Sequence, residues 1–488
     1  MECLDALKLG KVFYFFGELS KIPHASYHVE EISDYLVSFA KERGLAYRQD
    51  ECLNVIIKKD ATQGYENAEP VMLQGHMDMV AVKKPEAAID MDKDPLELCV
   101  EGDLLYAKDT SLGGDDGIAV AMGLALLDAD DIPHPALEVV FTTNEETGME
   151  GANGISFADC KAKRLINMDS EDEGILLAGC AGGARANCHL PVTRVTKTGK
   201  CYELHVDGLQ GGHSGTEIHK GLANANCLMG RIIWKLWDTM KISVISLEGG
   251  LADNAIPRTC TSEIFLDEEE AAAKETVLRE LLQRLEAAYK TEWRGKESSL
   301  EITLTPKEKG DFSVLNAESM ERLAALYNSM PNGVVAMSHD VDGLVETSLN
   351  LGVTKLDEKE FVLRYSVRSS KDCAKEALLE KIKSLLHLAG GTVTITGEYP
   401  GWAYRQESPL RDLMVRVFKE QYGKEPVIEA IHAGLECGLF STKIQDLDCV
   451  SIGPDIFHIH TTEEALSISS TKRVWEFLLE VLRQSNEK

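Results

Sequence analysis

Four apolar segments of this chain have the composition of buried strands, and each is followed within a few residues by histidine or acidic side chains. The segments are residues 71–74, 137–143, 165–168 and 450–452. Each is short and rich in branched or aromatic residues, which favours a strand covered on both faces. In open α/β sheets, ligands bind beyond the carboxyl ends of the strands. The pattern therefore predicts an α/β domain with a chemical site at one edge of its sheet.

The residues after these segments, with two acids at the start of an apolar helix-like segment, are of the kinds that bind metals. They are, in chain order, His76, Asp78, Asp115, Asp116, Glu145, Glu146, Asp169, His458 and His460. Each has an ordinary alternative when taken singly, such as a solvated acidic turn, a loop histidine or a helix N-terminal acid favoured by the helix dipole. Their repeated placement at the ends of elements favours one common site.

Imidazole and carboxylate donors without a thiolate suit zinc, and also cobalt or manganese. The predicted ligand set is His76, Asp115, Glu146, Asp169 and His460. Five ligands are too many for one tetrahedral zinc with an open position, but they fit two metals that share a carboxylate. Asp78 is then available to fix the tautomer of His76, and Glu145 to act as general base. Spacing alone does not separate His460 from His458.

Composition excludes several classes of function and favours a cytoplasmic protein. A formal net charge of −29 argues against nucleic acid or an anionic membrane as partner. No apolar run approaches the ~20 residues that span a bilayer, and the first residues do not resemble a signal peptide. The twelve cysteines include no CxxC pair, which favours free thiols in a reducing compartment.

The domain organisation follows from length and from a change in pattern along the chain. A chain of 488 residues is too long for one small core. Alternating strands and helices dominate both ends, whereas the middle repeats an order of strands and helices twice. Because ligand candidates occur in both ends, we expect a catalytic domain made from residues 1–186 and 399–488. Residues 187–398 would form an inserted α+β domain of two ferredoxin-like β/α units.

Eight motifs in order resemble those of the zinc peptidases that include glutamate carboxypeptidase, aminoacylases, peptidase T and carnosinase. The motifs are GHMDMV, GGDDGIA, TTNEETGMEGA, NMDSEDEG, GGHSG, ADNAIPR, HAGLECGLF and SIGPDIFHIHTTEE. Within that family they are most similar to the aminoacyl-histidine dipeptidase branch. The resemblance covers nearly the whole chain and implies a di-zinc exopeptidase catalytic domain, a mixed sheet flanked by helices, with a large inserted lid domain.

The resemblance also divides the metal ligands between two zinc ions. It implies that Asp115 bridges them, with a cis peptide bond to Asp116. His76 and Asp169 would complete one metal site, and Glu146 and His460 the other, with Glu145 as the base. The family tail matches His460 rather than His458, because Glu464 follows His460 by four positions.

The lid domain would supply the contacts to substrate. By resemblance, His213 in GGHSG polarises the scissile carbonyl, and Asn254 and Arg368 hold the substrate's carboxylate. Two motifs depart from the family: Asp116 stands where Asn is common, and HTTEE replaces HSPDE. The resemblance assigns no role to His432 and Glu436 in HAGLECG.

The function that we expect is hydrolysis of small dipeptides, Xaa-His dipeptides included, by a water between two zinc ions with Glu145 as general base. A deacylase or carboxypeptidase would share the metal site without requiring a free substrate amine. A metal-binding protein without catalysis is a more distant alternative, because Glu145 and every predicted ligand are present. A homodimer through the lid domain is compatible with the sequence, as is a monomer.

Overall fold

The computed structural model describes residues 10–486, apart from the side chains of residues 270 and 272. The helices are α1 (Gly10–Leu19), α2 (Glu30–Glu42), α3 (Gly114–Asp128), α4 (Glu145–Gly148), α5 (Glu150–Gly154), α6 (Ala225–Met240), α7 (Glu268–Glu292), α8 (Ala317–Ser329), α9 (Asp372–Ala389), α10 (Pro409–Tyr422), α11 (Glu436–Lys443) and α12 (Ile468–Gln484). The strands of the amino-terminal part are β1 (Ala46–Gln49), β2 (Val55–Lys59), β3 (Val71–His76), β4 (Leu98–Glu101), β5 (Leu104–Ala107), β6 (Leu137–Thr142), β7 (Arg164–Asn167) and β8 (Ile175–Cys180).

The remaining strands lie in the middle and at the carboxyl end of the chain. They are β9 (Gly182–Pro191), β10 (Arg194–Asp207), β11 (Gly212–His213), β12 (Ser243–Gly249), β13 (Ala255–Ile256), β14 (Cys260–Asp267), β15 (Glu301–Leu315), β16 (Gly333–Met337), β17 (Val345–Leu356), β18 (Glu360–Ser369), β19 (Thr392–Tyr399), β20 (Val427–Ile431), β21 (Asp448–Ser451), β22 (Ile456–Phe457) and β23 (Ala465–Ser467).

The chain divides into two compact units. Among the described residues, the first comprises residues 10–180, 402–430 and 435–486, and the second comprises Ala181–Gly401 with Ile431–Gly434. Residues 431–434 thus belong to the second unit, although the residues on both sides of them belong to the first. This exchange was not predicted from the sequence. The predicted domain limits at 186/187 and 398/399 stay predictions.

The first unit is organised around an eight-stranded mixed sheet in the order β1-β2-β6-β3-β7-β21-β8-β20. Its centre is parallel, since β3 pairs in parallel with both β6 and β7, and β21 pairs in parallel with β7. Strands β3 and β6 are buried at every position, as a sheet covered by helices requires. Helix α3, buried over most of its length, is apolar on all sides and packs on β3 as a core helix.

A smaller four-stranded sheet of the first unit holds the loop between residues 458 and 464. Its order is β22-β23-β5-β4, and every pair is antiparallel. The loop therefore leaves β22 and re-enters the sheet at β23, which fixes both of its ends.

The second unit contains one continuous nine-stranded sheet in the order β15-β10-β14-β12-β17-β18-β9-β19, with β16 paired to β17. The two predicted β/α units share this sheet. Antiparallel pairing of β12 with β17 joins its two halves. Helices α6, α7, α8 and α9 belong to this unit and contribute apolar side chains to its core. Among residues 10–486, no helix is both long and apolar enough to cross a bilayer.

Candidate metal centre

The parallel strands of the first unit bring three predicted ligand segments to one edge of the sheet. His76 is the last residue of β3. Asp169 lies two residues after the end of β7, and Glu146 lies four residues after the end of β6. Because β6, β3 and β7 are neighbours and run in the same direction, these residues leave the sheet side by side. The edge that the sequence predicts is therefore the place where its ligand candidates meet.

Asp115 lies between two histidines. Its Oδ1 is 3.1 Å from His76 Nε2, and its Oδ2 is 3.2 Å from His460 Nε2. Each histidine has a further acid beside it: His76 Nε2 lies 3.6 Å from Asp169 Oδ1, and His460 Nε2 lies 2.9 Å from Glu146 Oε1. The carboxylate of Asp115 thus faces two groups of donors at once, as a bridging ligand of two cations would.

The structure separates the two histidines of the carboxyl-terminal loop. His460 contacts two acids of the cluster, whereas the side chain of His458 contacts none of them among the described residues. Both residues have positive φ, 53° and 60°, so the loop turns sharply at each. The geometry therefore favours His460, in agreement with the resemblance, where spacing left both open.

Asp116 is buried, and its carboxylate is hydrogen-bonded to the backbone of His76. Its Oδ2 accepts the His76 N–H at 3.1 Å, and the peptide bond between Asp115 and Asp116 is cis, as the resemblance implies. A Cβ at Gly75 would lie 2.5 Å from the same oxygen, so only glycine fits there without a shift. Donor atoms of His76, Asp116 and Asp169 also lie within 4.8 Å of one another. We favour Asp115 as the ligand, since Asp116 already holds the main chain of His76.

The acidic groups of this centre outnumber the basic ones. Burial disfavours a charged imidazole, yet the Asp115 and Asp169 carboxylates raise the pKa of His76 well above its usual value. Hydrogen bonds with Asp115 and Glu146 raise the pKa of His460 to about 10. Burial raises the pKa of Asp169 to about 6, although His76 opposes this. A surplus of negative charge around two imidazoles is the electrostatic setting that divalent cations neutralise.

Glu145 begins the short helix α4 and is held through its backbone. Its N–H donates to Asp78 Oδ1 at 3.1 Å, and the other carboxylate oxygen of Asp78 accepts the Ser26 hydroxyl at 2.8 Å. Burial, with added repulsion from Asp169 and other acids, raises the pKa of Glu145 well above its usual value. A carboxylate with a raised pKa is suited to accept and return a proton near neutral pH.

Asp78 contacts the far side of the His76 ring in two ways. His76 Nδ1 lies 3.0 Å from the main-chain oxygen of Asp78 and 3.5 Å from its Oδ1. The nearer acceptor is therefore the main-chain carbonyl of Asp78, the residue that was predicted to fix the tautomer of His76. Either contact directs Nε2 of the ring toward the acids, and the carboxylate in addition holds Glu145.

Glu464 has a structural role that was not predicted from the sequence. Its carboxylate accepts backbone N–H groups from Leu112 at 2.9 Å and Gly114 at 2.7 Å, with longer bonds from Gly113 and Asp115. One buried acid thereby anchors the whole turn that presents the Asp115 side chain. Its position four residues after His460 is the sequence feature from which such a role could have been predicted.

The three predicted lid residues all lie in the second unit. His213 on β11 pairs with Ala255 on β13, and Ser214 N–H donates to the Asn254 carbonyl at 2.8 Å. Arg368 Nη1 donates to the Tyr399 hydroxyl at 3.2 Å. Burial, with repulsion from Arg368, lowers the pKa of His213. Their contacts to substrate stay predictions.

Comparison with known proteins decides the family. A family model described as peptidase family M20/M25/M40 matches residues 72–484, a span that contains every predicted metal ligand. The chain belongs to this family. The peptidase family predicted from the eight motifs is confirmed, and so is the mixed α/β fold class.

Two relatives of this M20 chain are similar over nearly their full length. The cytosol non-specific dipeptidase of Escherichia coli K12 is 38% identical over 486 residues, which is 99% of each chain. The crystal structure of aminoacylhistidine dipeptidase from Vibrio alginolyticus superposes with a TM-score of 0.89 at 35% identity, covering 97% of this chain and 96% of that one. The aminopeptidase PepT of Bacillus cereus ATCC 10987 shares the fold at 14% identity, with a TM-score of 0.57 and coverage of 98% and 99%.

Proposed function

We propose that this M20 chain hydrolyses dipeptides, Xaa-His dipeptides among them, at a centre for two divalent cations. The observation that carries the proposal is the Asp115 carboxylate, whose two oxygens face two different histidines, each beside a further acid. The names of the Escherichia coli and Vibrio relatives support the substrate class.

The donor set fits the proposed cations in chemistry and in charge. His76, Asp115 and Asp169 would hold one ion, and Asp115, Glu146 and His460 the other. The donors are nitrogen and oxygen without sulfur, which suits zinc and also cobalt or manganese. When bound, such ions polarise a peptide carbonyl and lower the pKa of water.

Glu145 is the proposed general base of the reaction. It would take a proton from the attacking water as the oxygen–carbon bond forms, and pass that proton to the departing amine nitrogen as the carbon–nitrogen bond breaks. Asp78 would keep Glu145 in place through its backbone N–H while it orients the ring of His76. The two adjacent acids would then have different roles, Glu145 as the general base and Glu146 as a metal ligand.

The second unit is proposed to recognise the substrate. His213 would contact the scissile carbonyl, and Asn254 and Arg368 the carboxylate of the dipeptide. The side chains of His213 and Arg368 both lie close to Gly215: a Cβ on that glycine would be 3.0 Å from His213 Cε1 and 3.3 Å from Arg368 Nε. This proximity supports a common role for the two residues. Small peptides are thus the proposed partners, while the cytoplasmic location, the absence of nucleic acid and membrane partners and the homodimer stay predictions.

A substrate panel tests the proposed activity. The purified, zinc-supplied protein is incubated with alanyl-histidine, alanyl-leucine, their N-acetyl forms and one tripeptide, and products are separated by chromatography. We expect cleavage of the free dipeptides alone, and its loss when a chelator is added. Cleavage of the N-acetyl forms at a similar rate would replace the dipeptidase by a deacylase or carboxypeptidase, and no cleavage of any substrate would contradict the proposal.

A further inference from the structure

A layer of buried polar side chains lies beneath the predicted metal ligands in the first unit. It comprises Gln74 on β3, Thr142 on β6, Asn167 on β7 and Glu436 at the start of α11, all of which are 0% exposed. Polar groups are costly to bury unless they are hydrogen-bonded, so a layer of four fully buried polar side chains calls for a reason.

The members of this layer are hydrogen-bonded to one another across three strands. Glu436 Oε2 accepts Gln74 Nε2 at 2.5 Å and the Thr142 hydroxyl at 2.7 Å. Gln74 also donates to Thr142 Oγ1 at 3.2 Å, and its own oxygen accepts Asn167 Nδ2 at 2.6 Å. Glu436 therefore closes a network that ties β6, β3 and β7 together at their carboxyl ends.

Each strand residue of the network stands just before a predicted site residue. Gln74 precedes His76 by two positions, and Asn167 precedes Asp169 by two positions. Residues two apart on a strand point to the same face, so Gln74 lies in the layer below His76. Thr142 is in register with His76 and precedes Glu145 by three residues. A shift in the network would therefore move both a ligand-bearing strand and the segment of the base.

One side of the Glu436 carboxyl group has no hydrogen-bond partner. Among the described residues, Oε2 receives both donors while Oε1 receives none, and the neighbouring Asn167 Oδ1 is also without a partner. An ionised carboxylate in this position would leave a charge unpaired in the interior, whereas a proton on Oε1 removes that charge. Burial also raises the pKa of Glu436 to about 8, although His76 opposes this.

We propose that Glu436 is a positioning residue, which through Gln74 and Thr142 fixes the relative places of His76 and Glu145. It acts as an uncharged group, a hydrogen-bonded support of the metal centre that contacts neither substrate nor cation. The inference rests on the proposed two-metal function and assigns a role to a residue of the HAGLECG motif for which the sequence suggested none.

The test compares Glu436→Ala and Glu436→Gln with a matched buried glutamate, Glu138. Glu138 lies on β6, the strand that contains Thr142, is 5% exposed, and accepts the backbone N–H groups of Lys161 and Ala162 at the far end of that strand. Three properties are measured: zinc affinity by competition with a chromogenic chelator, the visible spectrum of the cobalt-loaded protein, and thermal unfolding of the metal-free protein.

We expect Glu436→Ala to weaken zinc binding by about 10- to 100-fold, the range known for the loss of a group that orients metal ligands. The same substitution should change the spectrum of the cobalt-loaded protein. Glu436→Gln should restore affinity to within about threefold, because an amide reproduces the shape and hydrogen bonds of a neutral carboxyl group. Glu138→Ala should lower the unfolding temperature without altering zinc affinity or the cobalt spectrum. Unchanged metal affinity in Glu436→Ala, or an equal loss in Glu138→Ala, would overturn the positioning role.

The remaining outcomes also decide the matter. A Glu436→Gln variant as weak as Glu436→Ala would contradict the uncharged state. If Glu436→Ala does not fold, Thr142→Val removes one donor to Glu436 with little change in shape, and its zinc affinity should fall severalfold; an unchanged affinity would then refute the inference. A wild-type protein that binds two cations and cleaves a dipeptide separates this failure from failure of the proposed function.

Discussion

Replacing Glu145 with glutamine is expected to lower kcat for dipeptide hydrolysis by at least about 10²- to 10⁴-fold, the contribution typical of a general base. The amide keeps the size of the side chain and its backbone bond to Asp78 but cannot accept the proton of water. Metal content should stay at the wild-type value, because Glu146 and not Glu145 contacts His460. Initial rates and elemental analysis of the same sample measure both properties.

Glu150→Gln is the control for this substitution. Glu150 lies in the same segment at the start of α5 and is exposed, and its carboxylate accepts a long hydrogen bond from the Tyr27 hydroxyl at 3.4 Å. Its replacement should leave kcat within about twofold, as surface substitutions usually do. A Glu145→Gln enzyme with a near-normal kcat would show that another group takes the proton.

Replacing Asp115 with alanine is expected to reduce the affinity for both cations, since each of its oxygens faces a different histidine. We expect activity to fall below detection and affinity to fall by more than the roughly 100-fold seen when only a supporting group is lost. By contrast, Asp169→Ala and Glu146→Ala should each weaken one cation more than the other. Metal content after dialysis against a weak chelator distinguishes these patterns.

Asp128→Asn controls for the loss of an acid from the same helix. Asp128 is at the far end of α3, where it forms an ion pair with Arg43 at 2.7 Å. Its replacement should leave two cations bound. If Asp115→Ala retained two cations with wild-type affinity, the bridging assignment would be wrong, and the buried Asp116 would be the next candidate.

The central sheet and its ligand segments could be predicted because their signals are local. Strands β3, β6 and β7 each contain a run of apolar residues and are buried at nearly every position, so a histidine or an acid after such a run stands out. Parallel pairing then brings the ends together without further information. The choice between His458 and His460 needed the loop geometry or a resemblance, because two histidines two residues apart carry the same sequence signal.

The long strands of the second unit were less predictable. Strand β15 in particular carries a weak sequence signal, since it is exposed over much of its length and includes Lys307, Glu308 and Lys309. These residues have neither strand propensity nor alternating burial. Strand β15 forms because β10, from a distant part of the chain, pairs with it on both sides of an irregularity at residues 307 and 308.

The supporting groups of the metal centre were missed for a related reason. Gln74 and Asn167 interrupt apolar strands two residues before a ligand, but a single polar residue in a strand does not specify its partner. Glu436 reaches Gln74 from a position 362 residues away in the sequence. Such contacts are set by tertiary packing, so the candidate ligands could be predicted from the sequence while the residues that contact their strands from elsewhere in the chain could not.

Metal dependence is the central claim, and a titration tests it most directly. The protein is stripped with a chelator, dialysed, and supplied with zinc in steps while alanyl-histidine hydrolysis and bound zinc are measured in parallel. We expect no hydrolysis at the start and a rate that saturates near two equivalents of bound zinc, as a two-metal site requires. Full hydrolysis by the stripped protein, or zinc binding without any gain in rate, would contradict the account.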